Sequence, residues 1–260
     1  MTAERLGGKS AALAVAARAG LPVPPGVAIP AGARDADTVA ADARAAVATL
    51  GDAPHGYAVR SSAADEDGAD HSFAGQFESF LNVAAADVPR RVADVRATAT
   101  SDRVREYRRS RGLGNGEAPG VLVQRMLAPR AAGVAFGADP VSGRRGVCVV
   151  AAVRGLGNAL VDGTADADTW HVQRDGTLTV TQRVGAESPL SDAEVRAVAA
   201  LARRAGEVFG RPQDIEWAYE GDTLWLLQSR PITTLSALAD PDAPLVVWDD
   251  SNIAESYGGV

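Results

Sequence analysis

The rhythm of apolar positions divides the chain into two unlike stretches. Residues 9–19 are Ala-rich, with Leu13, Ala16 and Ala17 spaced for one side of a helix and Gly20 as its stop. Leu21-Pro22-Val23-Pro24-Pro25-Gly26 reads as stiff extended chain leading into a short strand, Val27-Ala28-Ile29. A second Ala-rich helix is predicted over 35–50, and Tyr57-Ala58-Val59-Arg60-Ser61-Ser62 reads as a strand ending in a polar turn. Residues 63–76 form a loop rich in Asp, Gly and Ser, after which 77–83 resume strand-like or short helical character. A long arginine-rich helix is predicted over 87–111, broken at Gly112-Leu113-Gly114-Asn115-Gly116.

From residue 121 strands dominate. Val121 to Met126 and Gly133 to Gly137 read as strands, and the apolar run Val147-Cys148-Val149-Val150-Ala151 as a buried one. Asp175-Gly176 between Trp170-His171-Val172 and Leu178-Thr179-Val180 is a hairpin signal. Ser191-Asp192-Ala193-Glu194 is a capping box opening a helix with Val195, Val198, Leu201, Ala205 and Val208 on one face. Ile215-Glu216-Trp217-Ala218-Tyr219 and Thr223-Leu224-Trp225-Leu226-Leu227-Gln228 form a second hairpin, turning at Glu220-Gly221-Asp222. The order predicts an α+β protein: a mixed lobe over 1–120, a β-rich lobe over 121–234, and a linker over 235–260.

Composition narrows the classes. With 260 residues, 46% of them hydrophobic, the chain can bury a substantial core. Mean hydropathy is −0.05, no apolar run reaches membrane-spanning length, and the first residues lead into no signal core, so a soluble cytoplasmic protein is expected. One cysteine, Cys148, excludes an internal disulfide and a multi-cysteine zinc cage, and 3 histidines leave little for a histidine metal site. A net charge of −7 argues against nonspecific nucleic-acid binding. Lys9 is the only lysine among 26 basic residues, which a GC-rich genome explains, but an ammonium and a guanidinium are not interchangeable at a phosphate.

Five clusters carry candidate chemistry. Gly7-Gly8-Lys9-Ser10 lacks the full phosphate-loop spacing, yet a lysine entering a helix can meet a phosphate beside the free amides there; an exposed lysine at a helix start fits equally well. Arg60-Ser61-Ser62 at a strand end could fork phosphate oxygens or simply close the strand. Ser72-Phe73-Ala74-Gly75-Gln76-Phe77-Glu78-Ser79 offers a small flexible loop between aromatic anchors, or a hairpin turn. On the last hairpin, alternation puts Asp214 and Glu216 on one face and Gln228 and Arg230 on one face of the partner strand. Hard oxygens of this kind suit Mg²⁺ bridged to phosphates. A cross-strand salt bridge is the plainer alternative, but these polar residues interrupt an otherwise apolar hairpin, which favours a site. Arg154-Gly155-Leu156-Gly157 is a weak sign of close backbone approach and more often a turn.

Taken together, these blocks resemble the ATP-binding domain of the family of phosphoenolpyruvate synthase, pyruvate phosphate dikinase and rifampin phosphotransferase. The likeness runs over about 6–234, through Leu6-Gly7-Gly8-Lys9, Gly20-Leu21-Pro22-Val23-Pro24-Pro25-Gly26, Val59-Arg60-Ser61-Ser62-Ala63, Ser72-Phe73-Ala74-Gly75-Gln76, Val123-Gln124-Arg125-Met126, Ala138-Asp139-Pro140-Val141-Ser142-Gly143, Pro212-Gln213-Asp214-Ile215-Glu216-Trp217 and Leu227-Gln228-Ser229-Arg230-Pro231-Ile232. The resemblance implies an ATP-grasp fold with ATP between two lobes. It implies Lys9, Arg60 and Arg230 at the phosphates, Gly75 and Ser79 in the phosphate loop, Gln124 in the cleft near the adenine, and Glu216 and Gln228 on Mg²⁺ with Asp214 supporting. It further implies transfer of the ATP β-phosphate to a histidine on a separate swivelling carrier domain, giving AMP and phosphate, with onward transfer to a small-molecule acceptor. A non-catalytic nucleotide-binding scaffold or regulator is the alternative. Relatives usually read Glu-Ala-x-Trp-Gly-Leu-Gly-Glu where this chain has Ala151-Ala152-Val153-Arg154-Gly155-Leu156-Gly157-Asn158, so carboxylates and a tryptophan are missing there. No histidine here lies in the Gly-rich setting of a phosphohistidine carrier.

Overall fold

The computed structural model describes residues 3–63, 79–98, 118–157, 160 and 166–244. A short helix α1 (Ala3–Leu6) leads into α2 (Gly8–Arg18), and the Pro-rich segment delivers the chain to β1 (Gly26–Ile29). Next come α3 (Ala36–Leu50), β2 (Tyr57–Ser62), β3 (Ser79–Val83) and α4 (Val88–Thr98). Asp35 starts α3 by accepting a hydrogen bond from the Thr38 amide at 2.8 Å, which satisfies one of the unpaired donors of a helix start.

With β4 (Gly120–Arg125), these strands form an antiparallel sheet in the order β1-β4-β2-β3. Its inner face carries Ile29, Tyr57, Val59, Val121 and Val123 against Val39, Ala43, Ala46 and Leu50 of α3 and Val88, Val92 and Val95 of α4. The strand assigned above to the second lobe therefore belongs to the first sheet, and the sheet boundary falls after Arg125, not at 120/121. Every second side chain of β4, Val121 and Val123, is needed to complete the α3–α4 core, which overrides its position in the chain. The expected helix over 87–111 is present as α4; its remainder lies outside the described residues.

The second sheet, also antiparallel, has six strands: β5 (Ala131–Phe136), β6 (Cys148–Arg154), β7 (Asp168–Val172), β8 (Leu178–Gln182), β9 (Gln213–Glu220) and β10 (Thr223–Pro231), in the order β10-β9-β5-β6-β7-β8. A helix, α5 (Asp192–Phe209), begins with the expected capping box between Ser191 and Glu194. Its apolar stripe, including Val195, Val198, Leu201 and Ala205, covers one face of the sheet over Cys148, Val150, Trp170, Ile215 and Trp217. Gly133 lies at the middle of this packing: a Cβ there would come within 1.9 Å of the Ala151 carbonyl oxygen and 3.0 Å of the Trp217 ring. Leu13, Ala16, Leu21 and Leu122, from the N-terminal half, belong to this same core. Among the described residues no helix is long and apolar enough to cross a membrane.

Candidate functional site

The second sheet's other face carries the polar residues of the last hairpin. Antiparallel register sets Gln228 opposite Glu216 and Arg230 opposite Asp214, so all four share one face; alternation accounts for each same-strand pair, and a shift of register brings the two pairs together. On the other side of β9, Val134 pairs with Glu216 and Phe136 with Asp214; these, with Val149 and Ala151 of β6, make a half-buried apolar floor beside the polar groups.

The register shifts between Leu226 and Gln228, a β-bulge that leaves Leu227 as the extra residue. This bulge supplies a carbonyl to a side chain that crosses between the sheets. Arg60, on β2, donates from Nη1 to the Leu227 carbonyl at 3.0 Å, and from Nη2 to Glu216 Oε2 at 3.0 Å and Gln228 Oε1 at 3.1 Å. Its side chain is 15% exposed and that of Glu216 19%, so the pair is shielded from bulk solvent more than a surface bridge is. A carboxylate oxygen and an amide oxygen therefore converge on one nitrogen.

The second pair is distinct. Arg230 donates from Nε to Asp214 Oδ2 at 2.8 Å, and the Asp214 side chain is 10% exposed. Burial pushes the Asp214 carboxyl above its ordinary range, Arg230 opposes the rise, and the Glu216 charge adds to it. Ser229 donates to Gln213 Oε1 at 3.0 Å behind the pair, which fixes the strand end.

Lys9 sits in the first turn of α2, and that turn is tied to the end of β2. The Gly8 amide donates to the Ala63 carbonyl at 3.0 Å, and the Ser10 amide to Ser62 Oγ at 3.0 Å. Gly7 has φ 78°, and a Cβ there would overlap the Ser62 carbonyl at 1.6 Å, so only glycine lets the helix start approach the strand so closely. Lys9 thus enters where β2 ends, two residues past Arg60. Ser79, the first residue of β3, pairs directly with Arg60 and is exposed. Gln124 lies on the neighbouring strand opposite Ala58, on the face that carries Arg60. It is buried, and its amide nitrogen donates to the Pro24 carbonyl at 3.3 Å, which locks the Pro-rich entry to β1. Gly75 lies outside the described residues. Of the residues singled out from sequence, the structure joins Arg60 to Glu216 and Gln228, Asp214 to Arg230, and Ser79 to Arg60 by register. The Leu227 carbonyl has no counterpart among the sequence candidates, and the continuous apolar run Leu224-Trp225-Leu226-Leu227 carries no alternation from which the bulge could be read.

The donor set fits a hard divalent cation. Glu216 and Gln228 present two oxygens to one cationic nitrogen, and magnesium is commonly held by one or two protein oxygens, with phosphates and waters as its other ligands. Among the described residues no group of three or more His, Cys, Asp or Glu side chains is gathered as for a self-sufficient metal cage.

Two antiparallel sheets that meet at a carboxylate, an amide and guanidinium groups form an arrangement suited to binding polyanions with a cation. The chain belongs to the family of the pyruvate phosphate dikinase AMP/ATP-binding domain, whose model matches residues 35–188 and 175–245. It is 37% identical to rifampicin phosphotransferase of Bacillus subtilis, an alignment covering 70% of this chain and 24% of that protein. It is 34% identical to the prodigiosin synthesizing transferase PigC of Serratia marcescens, over 88% of this chain and 32% of that protein. It is 36% identical to a probable phosphoenolpyruvate synthase of Archaeoglobus fulgidus, over 68% of this chain and 27% of that protein. The chain thus spans about a quarter to a third of the length of these relatives.

Proposed function

We propose that this chain binds Mg-ATP between its two sheets in the manner of an ATP-grasp protein and runs the first half-reaction of a cytoplasmic phosphotransferase. The observation that carries this reading is the crossing of Arg60 to Glu216 and Gln228, which brings a guanidinium from one sheet to a carboxylate and an amide oxygen on the other. Glu216 and Gln228 hold Mg²⁺, with Asp214 supporting through its bond to Arg230. When bound, the cation neutralises phosphate charge that would otherwise oppose a nucleophile.

Lys9, Arg60 and Arg230 bind the phosphate oxygens and hold the chain of phosphates in line. Gly75 and Ser79 would contact the same phosphates. Gln124 shapes the adenine end of the cleft by holding the 24–26 segment in place. The acceptor is a histidine on a carrier domain or subunit outside this chain. Its neutral ring nitrogen attacks the β-phosphorus; the bond from that phosphorus to the α–β bridging oxygen breaks, and AMP leaves with the bridging oxygen. A water molecule then cleaves the β–γ linkage and releases the terminal group as phosphate, so a phosphohistidine remains for transfer to a small-molecule acceptor. Positioning and charge neutralisation provide the catalysis, as is general for phosphoryl transfer.

The test is incubation with β-labelled ATP, Mg²⁺ and a purified carrier domain of a relative. Acid-labile label on the carrier and stoichiometric AMP are expected; ADP, or no label on histidine, refutes the reading. The altered 151–158 segment motivates the second reading, a nucleotide-binding module without catalysis. Tight Mg-ATP binding by calorimetry, with no AMP whatever the partner, favours that module.

A further inference from the structure

Arg60 holds the two groups to which the proposed function assigns the cation. Its Nη2 lies 3.0 Å from Glu216 Oε2 and 3.1 Å from Gln228 Oε1. A guanidinium nitrogen and a divalent cation cannot occupy the same point between two oxygens, and two positive charges at such range repel strongly in a shielded site. Nor is the contact loose: Nη1 is bonded to the carbonyl of the Leu227 bulge, so the fork is held at three points on the opposite sheet.

We infer that Arg60 is a resident counter-ion that reserves the cation donors and releases them when nucleotide phosphates draw the guanidinium away. This rests on the proposed Mg-ATP site and adds an order to it. Without nucleotide, the fraction of molecules with Glu216 and Gln228 free is small, so the apparent affinity for a divalent cation falls by that fraction. A polyphosphate offers the guanidinium more negative charge than the single carboxylate it leaves, and frees both oxygens as it does so. Cation and nucleotide therefore favour one another, and the coupling is reciprocal. The bulge carbonyl of Leu227 returns Arg60 to the donors after product leaves. The device also suppresses idle metal loading, because an isolated divalent ion meets a donor pair that is already neutralised.

The experiment uses Mn²⁺ alone, counted by the EPR signal of free Mn²⁺, with no nucleotide present. The wild-type chain is expected to bind weakly. Arg60→Met should bind at least tenfold more tightly, because the guanidinium no longer competes with the cation for the Glu216 and Gln228 oxygens. Arg60→Lys keeps a cation on a shorter, single-point head, and is expected between the two. Adding Glu216→Gln to Arg60→Met should remove the gained site. Equal or weaker Mn²⁺ binding by Arg60→Met than by wild type, or a gain that survives in the double variant, overturns the inference. If Arg60→Met does not fold, Arg60→Lys alone decides: binding no tighter than wild type overturns it. Failure of the underlying reading shows elsewhere, as wild type that binds no ATP in calorimetry with Mg²⁺.

Discussion

Arg96 makes a sharp test of how the first sheet is fastened. It lies on α4 and is only 8% exposed. Its Nη1 donates to the carbonyls of Pro30 at 2.9 Å and Pro119 at 3.0 Å, and its Nη2 to the carbonyl of Gly32 at 2.5 Å. Burial draws its pKa below the ordinary arginine value, yet a guanidinium stays protonated at working pH. One side chain thus pins the exit of β1 to the entrance of β4. Arg96→Met keeps the apolar stem and removes all three bonds. At about 1.5 kcal/mol for each bond to a charged donor, the loss is about 4.5 kcal/mol. These per-bond values already include the desolvation of the guanidinium, so a net destabilisation of about 4.5 kcal/mol is expected. Arg96→Lys, with a point charge that cannot span three carbonyls, should recover about half of it. Urea unfolding followed by circular dichroism measures this, with the m-value unchanged. A loss below about 1 kcal/mol for Arg96→Met would show that water replaces the guanidinium at these carbonyls, and the reasoning would fail.

Three further outcomes are expected. Gly133→Ala forces a methyl against the Ala151 carbonyl at 1.9 Å in mid-sheet, and should cost about 3 kcal/mol or more in the same urea assay; near-neutrality would mean that β5 and β6 can slide apart freely. Asp139 is raised by burial, but the Ser142 hydroxyl, the Val141 and Ser142 amides and the charge of His171 outweigh it, so its folded pKa lies below the ordinary 3.8. Its contribution is present above 3.8 and lost as pH falls through the lower folded value, so Asp139→Asn should be less stable than wild type at pH 7, with the gap closing below pH 3.8; a gap constant with pH counts against these bonds. Lys9→Ala and Glu216→Ala should each lower AMP release in the carrier assay at least a hundredfold while leaving the circular dichroism spectrum unchanged, and activity retained by either removes it from the site.

The parts of the site that lie within one hairpin are legible in the amino-acid pattern. Alternation with period two places Asp214 with Glu216 and Gln228 with Arg230, but counted from the turn alone it would set Leu227 opposite Glu216; the bulge brings Gln228 there. Legibility stops where contacts become distant or local rules are broken. Nothing in the periodicity says that Arg60 meets Glu216, 156 positions away, because cross-sheet pairing follows from packing. The bulge at Leu227 interrupts the period of two, so its carbonyl escapes a pattern-based reading. Asp214 reads from sequence as a helper to the cation donors; in the structure its direct partner is Arg230. The placement of β4 is hidden for a related reason: a strand of alternating valines says which face is buried, but not which sheet it joins.

The sharing of Leu13, Ala16, Leu21 and Leu122 with Trp217 and Leu226 has a thermodynamic consequence. The Leu226 amide also donates to the Pro22 carbonyl at 2.7 Å, so the first half of the polypeptide completes the interior of the second. Severing the chain after Arg125 would strip that interior of its cover, whereas the α3–α4 core is drawn wholly from the first piece. Heating should accordingly melt both sheets in a single calorimetric transition, with matching van't Hoff and measured enthalpies.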